Sequence, residues 1–363
     1  MNISHFTPDE SVKECIVYLN GQWPPKNTFY VEKDLNLPAR LYPNAKIYIR
    51  CNTTKNFLQT SSFFKKLYKG RDVRFIPDDY ILPVKPNPDT VIWFIHFNFI
   101  FFGGKIDKYT HFKWQIIQRA KCKVHILFNE EGTLSFEPLY DYIQRRNDNF
   151  KELNKDMLNS IADKTDWTNI TLLCNEDKLK QWVNDRPTKK CLDGEINISY
   201  LTDKILYDLP DYKTLSPKIG SKKGIYIGKF SPKRITFFNK FFSSDLVDIE
   251  CIGPDSDKIK CHKGNGENVD NKTAKEMLSS SNYGYSIYIG KGTPSLYLGA
   301  TFYEPLLNGL PIFIWEGTDP EHKLLHKNPE YYFKDETDLN EKLKTMSVLN
   351  LIAMYNYQIT QLL

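Results

Sequence analysis

What the 363-residue chain lacks narrows it first. Its seven cysteines (Cys15, Cys51, Cys122, Cys174, Cys191, Cys251 and Cys261) are odd in number and scattered, with no CxxC pair. That speaks against a disulfide framework or a structural zinc site and points to a reducing cytosol. No apolar run approaches the roughly 20 residues that cross a bilayer. The longest, Val91–Phe102, contains His96 and Asn98 and reads as a buried strand running into a loop, with His96 a core histidine rather than a ligand. The opening residues, MNISHFTPDESVKE, have neither a basic start nor an apolar stretch, so no secretory leader is expected and the protein is expected to be soluble. The chain also has no short repeat, no low-complexity tract, no GxxxxGK[ST] loop, no GxGxxG turn and no HExxH motif.

What is present is globular. With 41% hydrophobic, 26% charged and 14% aromatic residues, a disordered, collagenous or coiled-coil chain is excluded. The length suggests two domains, each able to bury a core without disulfides. Lys+Arg 49 against Asp+Glu 44 leaves a net charge of +5, which permits a polyanionic partner without requiring one. Where the positive charge sits matters more than its sum.

Short apolar runs alternate with amphipathic stretches, which predicts an α/β protein with parallel sheets. Strands are expected at 45–50, 73–76, 90–99, 123–128 and 170–175, with helices at 57–70, 109–120 and 176–185 between them. IVYLNGQWPPKNTFYVEK (16–33) reads as a hairpin turning at Asn20-Gly21, placed ahead of the core. After a linker over 207–224 the pattern restarts, with strands at 224–228, 247–253, 285–292 and 310–315 and helices at 233–242, 273–281 and 295–309. The tail from 336 onward reads as helical throughout. Two consecutive α/β units joined by one linker follow.

Segment 217–240 carries seven Lys/Arg (218, 222, 223, 229, 233, 234 and 240) and no acid. A Gly-ended strand leads there into a helix whose first turn holds Lys233 and Arg234. Free N–H groups and the positive dipole end suit a phosphate, and the same cations oppose the dipole unless an anion is bound. A plain solvated basic face is the competing reading. Glu304 lies inside the apolar helix ATFYEPLLNG, where a carboxylate must be paired, exposed or turned toward hydroxyls of a ligand. LFNEEG puts Asn129, Glu130 and Glu131 just beyond a strand's carboxyl end, where open α/β sheets bind ligands and where a general base would stand. Gly103, Gly104 and Lys105 end the strongest apolar strand, as a ligand-approach turn or as an ordinary strand-to-helix turn.

Several of these segments together resemble the T-even phage DNA glucosyltransferases, which move glucose from UDP-glucose to 5-hydroxymethylcytosine in DNA. FNFIFFGGK, KCKVHILFNEE, YIGKFSPKR, SLYLGATFYEPLLNGLPIFIW and YYFKDETDLNEKLKTM are each similar to a family segment, in order over roughly 45–345. The resemblance implies the GT-B fold, two Rossmann-like domains with parallel sheets facing a central cleft. It implies an acceptor domain over 1–205 with an N-terminal extension, a nucleotide-sugar domain over 206–345, and a last helix over 346–363 packing back on the first domain. It implies Glu130 as the catalytic base, Gly228, Lys229, Lys233, Arg234, Thr301 and Glu304 at the donor, and Gly103, Gly104, Lys105, Asn129 and Glu131 at the acceptor cleft.

The implied donor is a UDP-sugar, UDP-glucose first, with other hexoses and pentoses open and at most a loosely held Mg2+ or Mn2+. The implied partner is double-stranded DNA with hydroxymethylated pyrimidines, met by a monomer in the host cytoplasm. Thr301 stands where the β enzyme has an arginine, lysines replace arginines in the diphosphate segment, and Glu130 replaces an aspartate. An inverting and a retaining course both stay open. So do two other readings, a glycosyltransferase acting on a glycan, lipid or protein, and an inactive nucleotide-sugar or DNA-binding module.

Overall fold

The structure is a computed structural model that describes residues 2–18, 36–51, 64–66, 68, 70–77, 87–94, 121–127, 167–175, 197–290, 300–325 and 328–363. These fall into two compact units, one ending at Tyr207 and the other beginning at Asp208. The helices expected at 109–120 and 176–185, and most of that at 57–70, lie outside the described residues.

The first unit is built on eight parallel strands: β1 (Asn2–His5), β2 (Glu14–Tyr18), β3 (Lys46–Cys51), β4 (Val73–Pro77), β5 (Thr90–Phe94), β6 (Lys123–Leu127), β7 (Ile170–Asn175) and β8 (Asn197–Leu201). Their order across the sheet is β1-β8-β7-β6-β5-β2-β3-β4. ECIVY, TVIWF and KVHIL are almost wholly buried, as expected of strands covered on both faces. The hairpin expectation is corrected here. Residues 14–18 form a central strand paired in parallel with β3 on one side and β5 on the other, which leaves no edge for a returning antiparallel arm. β1 and β8 are additions the sequence pattern did not disclose, joined in register from Asn2–Asn197 to His5–Tyr200.

A short helix α1 (Asp203–Tyr207) closes the first unit, and the second holds β9 (Gly224–Ile227), α2 (Pro232–Phe241), β10 (Ile249–Ile252), α3 (Asn271–Leu278), β11 (Tyr285–Tyr288), α4 (Ala300–Leu307), β12 (Ile312–Trp315), β13 (Tyr332–Phe333), α5 (Glu336–Thr345) and α6 (Val348–Leu362). All five strands are parallel, in the order β10-β9-β11-β12-β13. Helix α2 buries Phe237 and Phe238, and Phe238 meets Tyr226 and Phe230 with ring centroids 5.2 Å away in each case.

The tail is two helices rather than one. Ser347 breaks it, its hydroxyl accepting from the Asn350 amide while the Asn350 side chain accepts from the Ser347 amide. The buried Gln358 of α6 then clasps Ile312 at the start of β12, accepting from its N–H at 2.8 Å and donating to its carbonyl at 2.7 Å. Glu336, buried at the first turn of α5, accepts from the amides of Ser244 and Leu246 and contacts His262 Nε2 at 2.8 Å. An unbonded carboxylate there would be costly, so this clasp fixes the entry into β10.

One buried titratable group gives the first unit a pH signature. His125 on β6 is enclosed by Phe6, whose ring stands edge-on at 5.5 Å, and shares a hydrogen bond with the Tyr42 hydroxyl. Burial, reinforced by the Lys123 charge, pushes its imidazole down to about 3, with Asp9 opposing. The folded value lies below the unfolded one, so this contribution is complete above about pH 6.5 and is lost as pH falls through 6.5 toward 3. Between pH 6.5 and 5 the unit should lose roughly 1.5 kcal/mol from this residue. Urea unfolding followed by tryptophan fluorescence tests it: His125→Gln should flatten that slope, and an unchanged slope would refute the assignment.

Candidate functional site

In the second sheet the chain leaves β9 for its neighbour β10 and then crosses back over β9 to place β11 on the other side. The direction of winding therefore reverses between β9 and β11, and the connections at their carboxyl ends diverge, which opens a crevice there. A pocket open to solvent occupies that place. Its wall comes from Tyr226 and Ile227 of β9, Ser286–Tyr288 of β11 with Ile289 and Gly290 beyond it, Arg234 of α2, Leu278 of α3, and Thr301, Glu304 and Pro305 of α4.

The turn out of β9 is shaped by two glycines in contact. Gly253, after β10, has φ +132°, and a Cβ there would stand 2.2 Å from the Gly228 carbonyl oxygen. Only glycine allows that approach and that backbone. The Gly228 amide is further held by the Ile252 carbonyl at 2.9 Å, and Phe230 N–H by that of Pro254 at 2.9 Å. Beyond the turn, α2 starts with Pro232 at its first position and Ser231 as its cap residue, whose side chain makes no capping bond. Its first turn has no acidic residue, so its amides are left for an anion. Arg234 folds back and donates from Nη1 to the Lys229 carbonyl at 2.8 Å, which holds its guanidinium beside the turn.

Three of the donor residues expected from sequence, Arg234, Thr301 and Glu304, come together in this pocket. Thr301 and Glu304 are three apart on α4 and therefore share a face. Gly228 underlies Arg234, while Lys229 and Lys233 are exposed beside the turn and at the start of α2. Among the described residues lining the pocket, Arg234 is the one cation. The run of seven basic residues is not one cluster. β9 divides it, leaving Lys218, Lys222 and Lys223 ahead of the strand and Lys229, Lys233 and Arg234 beyond its carboxyl end, with Lys240 in the last turn of α2. Lys222 donates to the Leu343 carbonyl and Lys223 pairs with Glu250 at 2.7 Å, so both serve the fold.

Ser286, Tyr288 and Gly290 line the pocket without having been singled out, although the carboxyl-end rule applied to YSIYIG would have found them; Tyr226, the first residue of YIGKFSPKR, lines it too. Glu130, Gly103, Gly104, Lys105, Asn129 and Glu131 lie outside the described residues. Among the described residues no group of three or more His, Cys, Asp or Glu is arranged to hold a metal, and no helix is long and apolar enough to cross a membrane.

At the level of sequence, no protein-family model and no curated protein matches the chain. Solved structures do. TarM superposes with a TM-score of 0.57 at 10% identity, covering 96% of this chain and 94% of that one. HepE of Anabaena, solved with UDP and glucose, superposes with a TM-score of 0.52 at 10% identity, covering 95% of this chain and 93% of that one. The fold is GT-B. Identity this low carries the fold alone, so the chemistry rests on the site.

The glycine pair makes a contrast that can be measured. Gly253→Ala drives a methyl into backbone and should destabilise the second unit by about 2 kcal/mol or more. Gly228→Ala meets only the end of Arg234, 3.3 Å from the new methyl, and should cost well under about 1 kcal/mol. The methyl does, however, stand between Arg234 and Tyr226, so pyrophosphate binding by calorimetry should weaken about tenfold. Equal stability losses in the two variants would refute this account of the turn.

Proposed function

We propose that the protein is a glycosyltransferase that uses a UDP-sugar, with its donor in the second-unit pocket. The observation that carries this reading is the convergence of the Gly228 turn, Arg234, Thr301 and Glu304 on one crevice at the reversal between β9 and β11. A diphosphate there meets a guanidinium and the open amides of α2, with Lys229 and Lys233 adding long-range attraction. The Glu304 carboxylate, at the other wall, accepts hydrogen bonds from donor hydroxyls. HepE, which shares the fold, was solved with UDP and glucose, and this supports the same ligand class for the present chain.

The acceptor is assigned from the sequence resemblance: the hydroxymethyl group of a modified pyrimidine in DNA. In this scheme Glu130 takes the proton of the hydroxymethyl oxygen, that oxygen bonds to the anomeric carbon, and the bond from that carbon to the diphosphate breaks with its electron pair leaving on UDP. Positive groups fixed in advance around the departing diphosphate supply the main stabilisation. The acceptor base leaves the duplex stack to be reached, and DNA affinity falls with salt as phosphate contacts are screened. A glycan, lipid or protein acceptor, taken by an enzyme of the same fold, is the second reading.

A panel of UDP-sugars with duplex DNA containing 5-hydroxymethylcytosine, 5-hydroxymethyluracil or cytosine decides between them. Mass spectrometry of the digested nucleosides should show a sugar added only to a hydroxymethylated base. Glu130→Ala should abolish transfer with UDP affinity retained, and Arg234→Gln should lower kcat/KM about 100-fold. UDP-sugar binding with no nucleoside adduct for any pair would overturn the DNA acceptor and leave the glycan reading.

A further inference from the structure

The turn that follows β12 carries a second polar constellation, on the same side of the sheet as the pocket. All five strands run in parallel, and Tyr288 of β11 lies opposite Ile314 of β12. Gly290 and Glu316, each two residues further on, therefore leave the sheet at one level. The two strand ends touch there. Thr318 is 1% exposed, and its Oγ1 and Cγ2 stand 2.9 and 2.8 Å from the point where a Cβ on Gly290 would be. Gly290, with φ +52°, is itself part of the pocket wall. The 316–322 turn is thus pressed against the pocket, and the buried Thr318 hydroxyl has no hydrogen-bond partner.

Within this turn Asp319 is fully engaged by the fold, accepting from the amides of Lys323 and Leu324 and from the Tyr332 hydroxyl at 2.6 Å. Tyr332, fixed in this way, carries the His322 ring stacked on its face, with centroids 4.0 Å and planes 19° apart. The His322 backbone is left-handed, with φ +53°, an unfavourable conformation for a residue with a side chain. Its Nε2 stands 3.7 Å from Glu316 Oε1, too far for a hydrogen bond, and both side chains are half-buried. A held imidazole and a carboxylate therefore face each other across a gap.

One oxygen atom can stand about 2.8 Å from both. Glu316 repels a phosphate, and an apolar group would desolvate the pair without returning a hydrogen bond. A hydroxyl fits, since it donates to the carboxylate while accepting from an imidazole N–H. We infer that Glu316 and His322 together bind a hydroxyl of the transferred sugar. This rests on the donor-site reading above and deepens it. β12 lies two strand spacings from β9, about 10 Å, so the pair stands beyond the diphosphate by the span of a sugar ring. Selection among sugars falls on this pair, whereas Arg234 holds what all UDP-sugars share.

Glu316→Gln keeps the size of that side chain, and His322→Phe keeps the stack on Tyr332 while removing both ring nitrogens. Calorimetric titration of the full chain with UDP, UDP-glucose, UDP-galactose and UDP-xylose reads the sugar contact apart from the nucleotide. In each variant, affinity for the sugar nucleotide that the parent binds best should fall about tenfold, with UDP affinity unchanged. Weakening of UDP by the same factor would mark a structural role and overturn the inference, as would unchanged affinity for every sugar nucleotide. If His322→Phe does not fold, Glu316→Gln decides alone by the same readings. A parent protein that binds UDP and none of the three sugar nucleotides also overturns the inference. Failure of the parent protein to bind UDP would instead overturn the donor-site reading and this inference with it.

Discussion

Parallel strands cannot be joined by a tight turn, and the long crossovers they require have one hand. The second unit depends on that constraint. Winding from β9 to β10 and then back past β9 to β11 sends the helices after β9 and β11 to opposite faces of the sheet. The faces can be told apart by what they bury. Tyr226 joins Phe237 and Phe238 of α2, whereas Ile225, its neighbour in β9, joins Leu278 of α3 and Leu310 after α4. Between the two departing connections the sheet edge is left uncovered by the backbone. The pocket is a consequence of the strand order before any side chain is considered, and side chains then decide what it holds.

At this place the chain combines close backbone packing with positive charge. Gly253 against Gly228 brings the two strand ends together, and the Ile252 and Pro254 carbonyls take up the amides of the turn. The first turn of α2 then carries Lys233 and Arg234 against its own dipole. Each such charge is unfavourable by a few tenths of a kcal/mol up to about 1 at a surface. An anion reverses the sign. A stability cost borne at one helix end is the expected mark of a site shaped for a ligand rather than for the apo fold.

Most of the strand pattern could be read from the sequence because parallel strands are buried on both faces and show as short apolar runs. AKIYIR, KVHILF, GIYIG and LPIFIW are of this kind. Three features could not be read so. β2 was obscured by the Asn20-Gly21 that follows it, since a turn signal says nothing about which strand the chain pairs with next. β1 and β8 are polar enough, NISH and NISYL, to pass as loop until the pairing of one with the other is known. Ser347 divides the tail because a serine competes for the backbone only where the chain already turns, so its role is set by tertiary packing rather than propensity. In the site, charge drew the eye to all seven basic residues, and a strand of four residues was enough to separate Lys218, Lys222 and Lys223 from Lys229, Lys233 and Arg234. Tyr226 was marked only by the resemblance of YIGKFSPKR to a family segment, because a buried tyrosine in a strand otherwise reads as core.

The division of labour among the cations follows from their exposure. Lys229 and Lys233 are exposed point charges on flexible stems, so their attraction for an anion is screened by salt and fixes no geometry. Arg234 is half-buried, planar and tied to a backbone carbonyl, and Thr301 is too short to supply a second fork. Orientation of a bound diphosphate therefore falls on Arg234 and on the amides of α2. A site built this way gathers its ligand by charge from several residues but aligns it through few. Raising ionic strength would thus weaken capture more than it disturbs the alignment of what is already bound.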